Sequence, residues 1–320
     1  MSPTRPVLVL ALALLLGGCG DSSNSHPSVN ATRGQYLVEA VLACGDCHTT
    51  PQANGLPSFN PSDFLAGGRE FDAQVGAASF KFYSRNLTSD KENGLGSWTD
   101  DQIKRAITTG VDDQNGALFP IMPYWAFGNI GADDLSAIVK YLRTLPPNAN
   151  AVPDNTFNLT SPAKIIDASS VPHTSLPASD PLFASAERGR YIAGLMGACI
   201  SCHTPTKTLD EPVDLTRAFA GGQLFPLGPV TTVSANLTPD ATGLLGWSAG
   251  EVIATIQKNQ ERGVGRPLCP PMPAGPNRDG DMTPGDLVDV ANYITTLLPI
   301  AHGPFGCTDA GVPYGLDGAF

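Results

Sequence analysis

The sequence predicts an all-α protein: two tandem domains of one helical design, joined by a linker and carrying long Gly/Pro-rich loops. The chain repeats itself. The segment Arg33-Gly-Gln-Tyr-Leu-Val-Glu-Ala-Val-Leu-Ala-Cys-Gly-Asp-Cys-His-Thr49 returns at an offset of 155 as Arg188-Gly-Arg-Tyr-Ile-Ala-Gly-Leu-Met-Gly-Ala-Cys-Ile-Ser-Cys-His-Thr204, with eight of 17 positions identical. Shorter matches follow in the same order: Gly67-Gly68 with Gly221-Gly222, Asn86-Leu-Thr88 with Asn236-Leu-Thr238, Trp98 with Trp247, Met122-Pro123 with Met272-Pro273, and Leu135–Leu145 with Leu287–Leu297. Ordered matches of this kind mark a duplication. Helix start and stop signals recur in both copies, and strict alternation of apolar and polar residues is scarce, so little sheet is expected. The 34 Gly and 29 Pro among 320 residues belong to long loops between short helices.

Taken in order, the chain opens with Arg5 and an apolar run from Val7 to Leu16. Ten residues reach about 15 Å as a helix, half a bilayer core, which fits an export signal (1–18) rather than a membrane span. Leu16-Gly-Gly-Cys19 resembles the bacterial lipobox. That resemblance implies cleavage before Cys19, lipidation of its thiol and attachment to a membrane, with Gly20 favouring the outer membrane. The Ser/Asn-rich residues 19–30 read as a tether. The first domain is assigned to 31–147, a Pro-containing linker to 148–180, the second domain to 181–308 and a tail to 309–320.

Within each domain, Thr99-Asp-Asp-Gln102 and Ser248-Ala-Gly-Glu251 are capping boxes. In them a hydroxyl and a Glu/Gln side chain satisfy each other's exposed amides. Ile103, Ala106 and Ile107 follow at helical spacing, and Gly110 suits the stop. Leu135, Ile138, Val139 and Leu142 mark a last helix, as do Leu287, Val290, Ala291 and Ile294. Thr283-Pro284 supplies a cap and a first-turn proline, and Pro146 and Pro299 close these helices.

The chemistry lies in Cys44-Gly-Asp-Cys47-His48 and Cys199-Ile-Ser-Cys202-His203, two C-x-x-C-H motifs. Two thiols three positions apart lie on one face of a turn and reach the two vinyl groups of one porphyrin; the adjacent His then presents a nitrogen to the iron. Two covalent haem c groups are therefore expected. A thioredoxin-like pair needs a βαβ context that is missing, and a zinc site needs a fourth ligand.

The sixth iron ligand must come from elsewhere. Of the five methionines, only Met122 and Met272 occupy matched places, each before Pro and between a haem motif and the last helix. His48 with Met122 and His203 with Met272 are the expected iron ligands. Met196 and Met282 read as packing. His26, His173 and His302 have no repeat partner and read as surface residues. Thioether ligation raises the potential of haem iron, and filled axial positions leave outer-sphere, one-electron transfer. The remaining repeated residues are candidates for the haem pocket. Asn86 and Asn236 (with Thr88 and Thr238) offer hydrogen bonds, Trp98 and Trp247 offer ring packing, and the glycine pairs allow close backbone approach. Each is equally open to a role in loop organisation alone.

With these residues in view, both halves resemble the class I cytochrome c modules of bacterial membrane-bound alcohol and gluconate dehydrogenase cytochrome subunits. The segment Phe82–Gln102 and Met122-Pro-Tyr124 carry the likeness most clearly. The resemblance implies an all-α fold, His/Met haem c and electron delivery towards quinone or a terminal oxidase. Those subunits typically have three haem modules and this chain has two.

Seven cysteines leave three outside the haem motifs. Cys19 is the lipidation candidate. Cys269 and Cys307 are read as a disulfide, as an oxidising compartment allows. The rival reading makes Cys269 an axial thiolate, as in diheme thiosulfate-oxidising enzymes. The formal charge of −11 argues against nucleic acid and is suited to steering a basic redox partner. The sequence thus describes an electron carrier rather than an enzyme. Its expected partners are redox proteins: a dehydrogenase, other cytochromes, an oxidase or a quinol-oxidising complex. The alternative is a diheme peroxidase or thiosulfate dehydrogenase with one exchangeable sixth position.

Overall fold

The computed structural model describes residues 31–50, 62–75, 78–155, 159–227, 230–263, 265–273, 281–303 and 305–307. Residues 1–30, where the export signal, Cys19 and the tether are expected, and the tail 309–320 lie outside the described residues.

Each half is organised around a pair of packed helices. In the first half, α1 (Ala31–Tyr36) packs against α5 (Ala132–Leu142); in the second, α6 (Phe183–Arg190) packs against α8 (Pro284–Thr295). The repeated Arg-Gly-x-Tyr explains why they meet so closely. A Cβ on Gly34 would lie 1.9 Å from the Ala137 carbonyl oxygen, and one on Gly189 would lie 2.0 Å from that of Asp289. Only glycine permits these backbones to touch. The neighbouring arginines then close the contact: Arg33 Nε donates to Asp134 Oδ1 (2.9 Å) and Arg188 Nε to Asp289 Oδ2 (2.7 Å).

Beyond α1 and α6 the chain widens into a π-helical turn, Leu37–Val41 in one half and Tyr191–Leu195 in the other. Such turns are uncommon and cluster at functional sites. Here each delivers the chain to a Cys motif. The first motif forms the short helix α2 (Cys44–His48), entered through Ala43 at φ 45°. The second motif is a turn closed by His203 N donating to Cys199 O (2.9 Å).

The two capping boxes form as their residue types dictate. They open α3 (Asp100–Thr109) and α7 (Ala249–Lys258). Helix α3 stops at Gly110 (φ 67°) and α7 at Asn259 (φ 51°), both left-handed caps. In the first half a further short helix, α4 (Tyr124–Phe127), lies wholly buried just after Met122.

The all-α expectation is corrected by two small sheets. Strands β1 (Glu70–Val75) and β2 (Ala78–Tyr83) form an antiparallel hairpin in register Glu70↔Tyr83. In the second half β3 (Leu224–Leu227) pairs with β4 (Val230–Val233), and β5 (Gly306–Cys307) adds to β4. The physical reason is local: Glu70-Phe-Asp-Ala-Gln-Val75 does alternate, with Ala73 in an apolar place, and each hairpin strand is only four to six residues long. The fold is helical with small sheets.

Residues 148–180 lie against both halves. Ile166 N donates to Trp125 O and Lys164 N to Asp210 O, each at 2.9 Å. Buried Arg190 donates to the carbonyls of Val171 and Ala168, and Val171 is fully buried beside Gly194. No helix among the described residues is long and apolar enough to cross a membrane.

Candidate functional site

The loop after each Cys motif is the same structure built twice. Gly67 N donates to His48 O (2.7 Å), and Gly221 N donates to His203 O (2.8 Å). Gly68 N and Gly222 N donate to Ser84 O and Ser234 O at 2.9 Å. Buried Thr49 and Thr204 accept from Leu65 N and Phe219 N at 3.1 Å. Leu65 and Phe219 themselves have positive φ, a conformation that costs energy for such side chains and is kept in both copies. The glycines at 67, 68, 221 and 222 also have positive φ, and a Cβ at 67 or 221 would strike the opposite backbone at 2.6 or 2.4 Å.

This frame orients the histidines. His48 Nδ1 lies 2.8 Å from Arg85 O, and His203 Nδ1 lies 2.8 Å from Ala235 O. A carbonyl only accepts, so Nδ1 carries the proton and the lone pair is left on Nε2. This is the tautomer a metal-ligating imidazole adopts, with its other nitrogen donating to a backbone oxygen. Burial holds both imidazoles below the usual histidine range, with the carbonyl bond opposing it. The neutral, ligating form is therefore the favoured one.

The four cysteines of the two motifs form no disulfide. Burial pushes Cys44 up to about 12. Cys47 is open to solvent yet surrounded by protein, and that desolvation pushes it up to about 11, with Cys202 contributing in the same direction. The first half also meets the approach to the second motif. Gly197, just before the second motif, packs against Ala126 and Phe127 of α4 in the first half, where a Cβ would lie 3.0 Å from Ala126 Cβ.

The methionines lie in matching turns. Met122 N donates to Phe119 O and Met272 N to Cys269 O, both at 3.2 Å. Both side chains are partly buried, and Met122 packs against the core. Met196 and Met282 are buried in the core. Cys269 and Cys307 are joined in a disulfide, which removes the reading of Cys269 as a free axial thiolate.

Asn86 and Asn236 are 1% exposed, and all their hydrogen-bonding capacity is used within the protein. Each Oδ1 accepts from the amide and hydroxyl of the Thr two residues on, at 2.9 and 2.7 Å. Asn86 Nδ2 donates to Asn148 O and Asn150 O; Asn236 Nδ2 donates to Thr242 Oγ1 and Ile300 O. These bonds tie each loop to the chain after the last helix of its half. Trp98 and Trp247 are half-buried against the core, and Arg262 lies over the Trp247 ring at 5.1 Å.

Sequence reasoning missed several contributors. The carbonyls of Arg85 and Ala235 carry no signal in their side chains. His302 is a half-buried structural residue: its Nδ1 bonds Ala220 O (3.0 Å) and its Nε2 meets Arg217 (3.2 Å). His173, in contrast, lies on the surface against Glu187. Among the described residues no three His, Cys, Asp or Glu side chains converge on a bare metal ion. The donor set, a C-x-x-C pair outside any disulfide beside a His with its Nε2 lone pair available, fits haem c in both halves.

No family model matches the chain. Curated relatives do. The chain is 30% identical over 262 residues to the diheme cytochrome c-type protein of Cereibacter sphaeroides, covering 76% of this chain and 81% of that one. It is 29% identical to the gluconate 2-dehydrogenase cytochrome c subunit of Pantoea cypripedii (75% and 54%). It is 28% identical to the cytochrome c subunit of the quinone alcohol dehydrogenase of Gluconobacter oxydans (71% and 46%). The chain thus spans about half the length of the dehydrogenase subunits it matches. The duplicated haem-c donor set and a relative that matches over most of both chains lead to one conclusion: the chain belongs to the diheme c-type cytochromes, electron carriers that hold two covalent haem c groups.

Proposed function

We propose that this diheme cytochrome is built from two tandem class I cytochrome c modules and is exported and held at a bacterial outer membrane by a lipid on Cys19. In this reading it passes single electrons by outer-sphere transfer between redox proteins. Bound haem iron cycles between its ferric and ferrous states, and a thioether ligand favours the ferrous one. Cys44 and Cys47 hold the first haem and Cys199 and Cys202 the second. His48 and His203 would each offer one nitrogen to the iron, and Met122 and Met272 one sulfur each. The protein's part is to fix the imidazole tautomer, keep the sixth position filled, and set the two haem sites side by side. Trp98 and Trp247 serve as pocket walls, and Asn86 and Asn236 as organisers of the loop facing each haem.

The observation that carries the reading is the identical pinning of His48 and His203 by backbone carbonyls, each directly after a C-x-x-C pair that forms no disulfide. Relatives named as cytochrome subunits of gluconate, alcohol and fructose dehydrogenases support a dehydrogenase as electron donor. The deciding experiment is absorption and EPR spectroscopy of the oxidised holoprotein. Two low-spin haems with a methionine–iron charge-transfer band in the far red are expected. Met122→Ala and Met272→Ala should each turn one haem high-spin. A high-spin component in the unmodified protein would instead favour a diheme enzyme. Mass spectrometry of the membrane fraction tests the anchor: an unlipidated Cys19 or a retained signal segment would remove it.

A further inference from the structure

The turns that carry Met122 and Met272 are alike in backbone and are anchored by different chemistry. Phe119 begins the first turn at the place that Cys269 takes in the second, where each carbonyl accepts the methionine amide at 3.2 Å. In the first half the anchor is aromatic. Phe119 stacks on Phe82 of β2, with ring centroids 3.9 Å apart and planes 24° from parallel. The residue of β4 that corresponds to Phe82, at the offset of 150 that relates the two methionines, is Thr232. Threonine offers no ring to stack. The second half adds a strand in its place. Cys307 of β5 pairs with Thr232, and its sulfur is bonded to Cys269. Thr232 Oγ1 donates to Pro270 O at 2.6 Å and completes the attachment. In both halves the small sheet therefore grips the residue three before the methionine, once by stacking from β2 and once by a covalent bond from β5.

We propose that the Cys269–Cys307 disulfide is a positioning element for Met272 at the second iron, doing for that ligand what the Phe82–Phe119 stack does for Met122. This rests on the assignment of the methionines as sixth ligands under the proposed function. The consequence is an asymmetry. An aromatic stack is indifferent to thiols, whereas a dithiol reagent can open the disulfide. Two electrons and two protons pass from the reagent, which closes into its own disulfide, and Cys269 and Cys307 become thiols. The four haem-motif cysteines are held as thioethers in the holoprotein and do not take part, so only the second haem responds.

The test uses the holoprotein with both haems attached. Cys269→Ser/Cys307→Ser removes the bond and also removes any thiolate that might replace Met272. Exchange of the Met272 amide, which is bonded to the carbonyl of residue 269, should quicken by about tenfold while that of the Met122 amide stays slow, as expected of one locally loosened segment. The far-red charge-transfer absorbance should fall to about half, and one of the two midpoint potentials should drop, as loss of a methionine ligand lowers it. Phe119→Ala should reverse the pattern, loosening 119–122 and acting on the other haem. An unchanged exchange pattern would overturn the proposal, as would faster exchange with full absorbance. Absence of the band from the unmodified protein would overturn the methionine assignment itself, and this proposal with it, which separates the two failures.

Discussion

Tyr36 in the first half donates its hydroxyl to Asp286 in the second, and Tyr191 in the second donates to Asp134 in the first. The exchange is reciprocal. Each tyrosine also accepts from the capping amide of the helix it reaches: Tyr36 from Thr283 N at 3.2 Å and Tyr191 from Gly131 N at 2.9 Å. Each carboxylate lies in the first turn of its helix (α8 or α5), where the helix dipole favours negative charge. Each half thus completes the N-terminus of the other's last helix.

Tyr36→Phe/Tyr191→Phe should cost about 2–4 kcal/mol, since each lost bond goes to a charged group. Denaturant melts of the holoprotein measure this. The effect has a defined pH dependence. Burial is the main cause that holds both hydroxyls protonated well above the usual tyrosine range, with the facing carboxylates adding to it. An unfolded tyrosine ionises near ~10, so the contribution is full below that pH and is lost as pH rises towards the folded values. The gap in stability between native protein and double variant should therefore narrow above pH ~10. A gap independent of pH would show that the hydroxyls contribute by packing alone.

Gly34→Ala and Gly189→Ala should each be severely destabilising, by about 3 kcal/mol or more. The obstacle in both cases is a backbone carbonyl, of Ala137 or Asp289, that cannot rotate away. The helix pair must part, and with it the Arg33–Asp134 or Arg188–Asp289 ion pair. Limited proteolysis should cut the altered half first. Equal and small losses in both variants would mean that the helices can slide apart at little cost.

These glycines show how far the sequence could be read. Arg-Gly-x-Tyr was visible as a repeated string, as were the capping boxes, the Cys motifs and the paired methionines. Each of these announces itself by residue type at a fixed spacing. The partners of Arg33, Gly34 and Tyr36 lie 100 to 250 positions away, and no local pattern names them. The hairpins escaped notice because short strands with one small residue in an apolar place resemble loop. The backbone carbonyls that fix the histidine tautomers are invisible in principle, because any residue at 85 or 235 supplies one. What a duplication does reveal is where the copies differ: Phe119 against Cys269, and Phe82 against Thr232, mark two solutions to one mechanical requirement.

Asn86→Ala and Asn236→Ala discriminate loop organisation from direct contact with a haem. Each deletion leaves buried amide, hydroxyl and carbonyl groups unpaired, at about 2–4 kcal/mol. If the side chains act through the loop, melting temperature falls and the midpoint potentials stay nearly constant while the protein is folded. A large shift of potential with little loss of stability would mean that the amides bond the haem itself. Asn86→Asp should be no better than alanine, because a carboxylate cannot donate to the carbonyls of Asn148 and Asn150.

The last prediction concerns His302, which as a lone histidine in a haem protein invites assignment to iron. Its place in the second loop is taken in the first by Asn150. Asn150 Nδ2 donates to Ala66 O at 2.9 Å, and His302 Nδ1 bonds Ala220 O at 3.0 Å. The two carbonyls precede Gly67 and Gly221, and a Cβ on Gly68 or Gly222 would run into Asn150 or His302. Asparagine already performs this task in one copy, so His302→Asn should cost less than about 1 kcal/mol, whereas His302→Ala, which leaves the carbonyl unpaired, should cost about 1–3 kcal/mol. Both variants should keep the haem spectra of the unmodified protein across the pH range in which it is folded. A new high-spin signal in either would show that His302 reaches an iron and that the equivalence with Asn150 is one of position only.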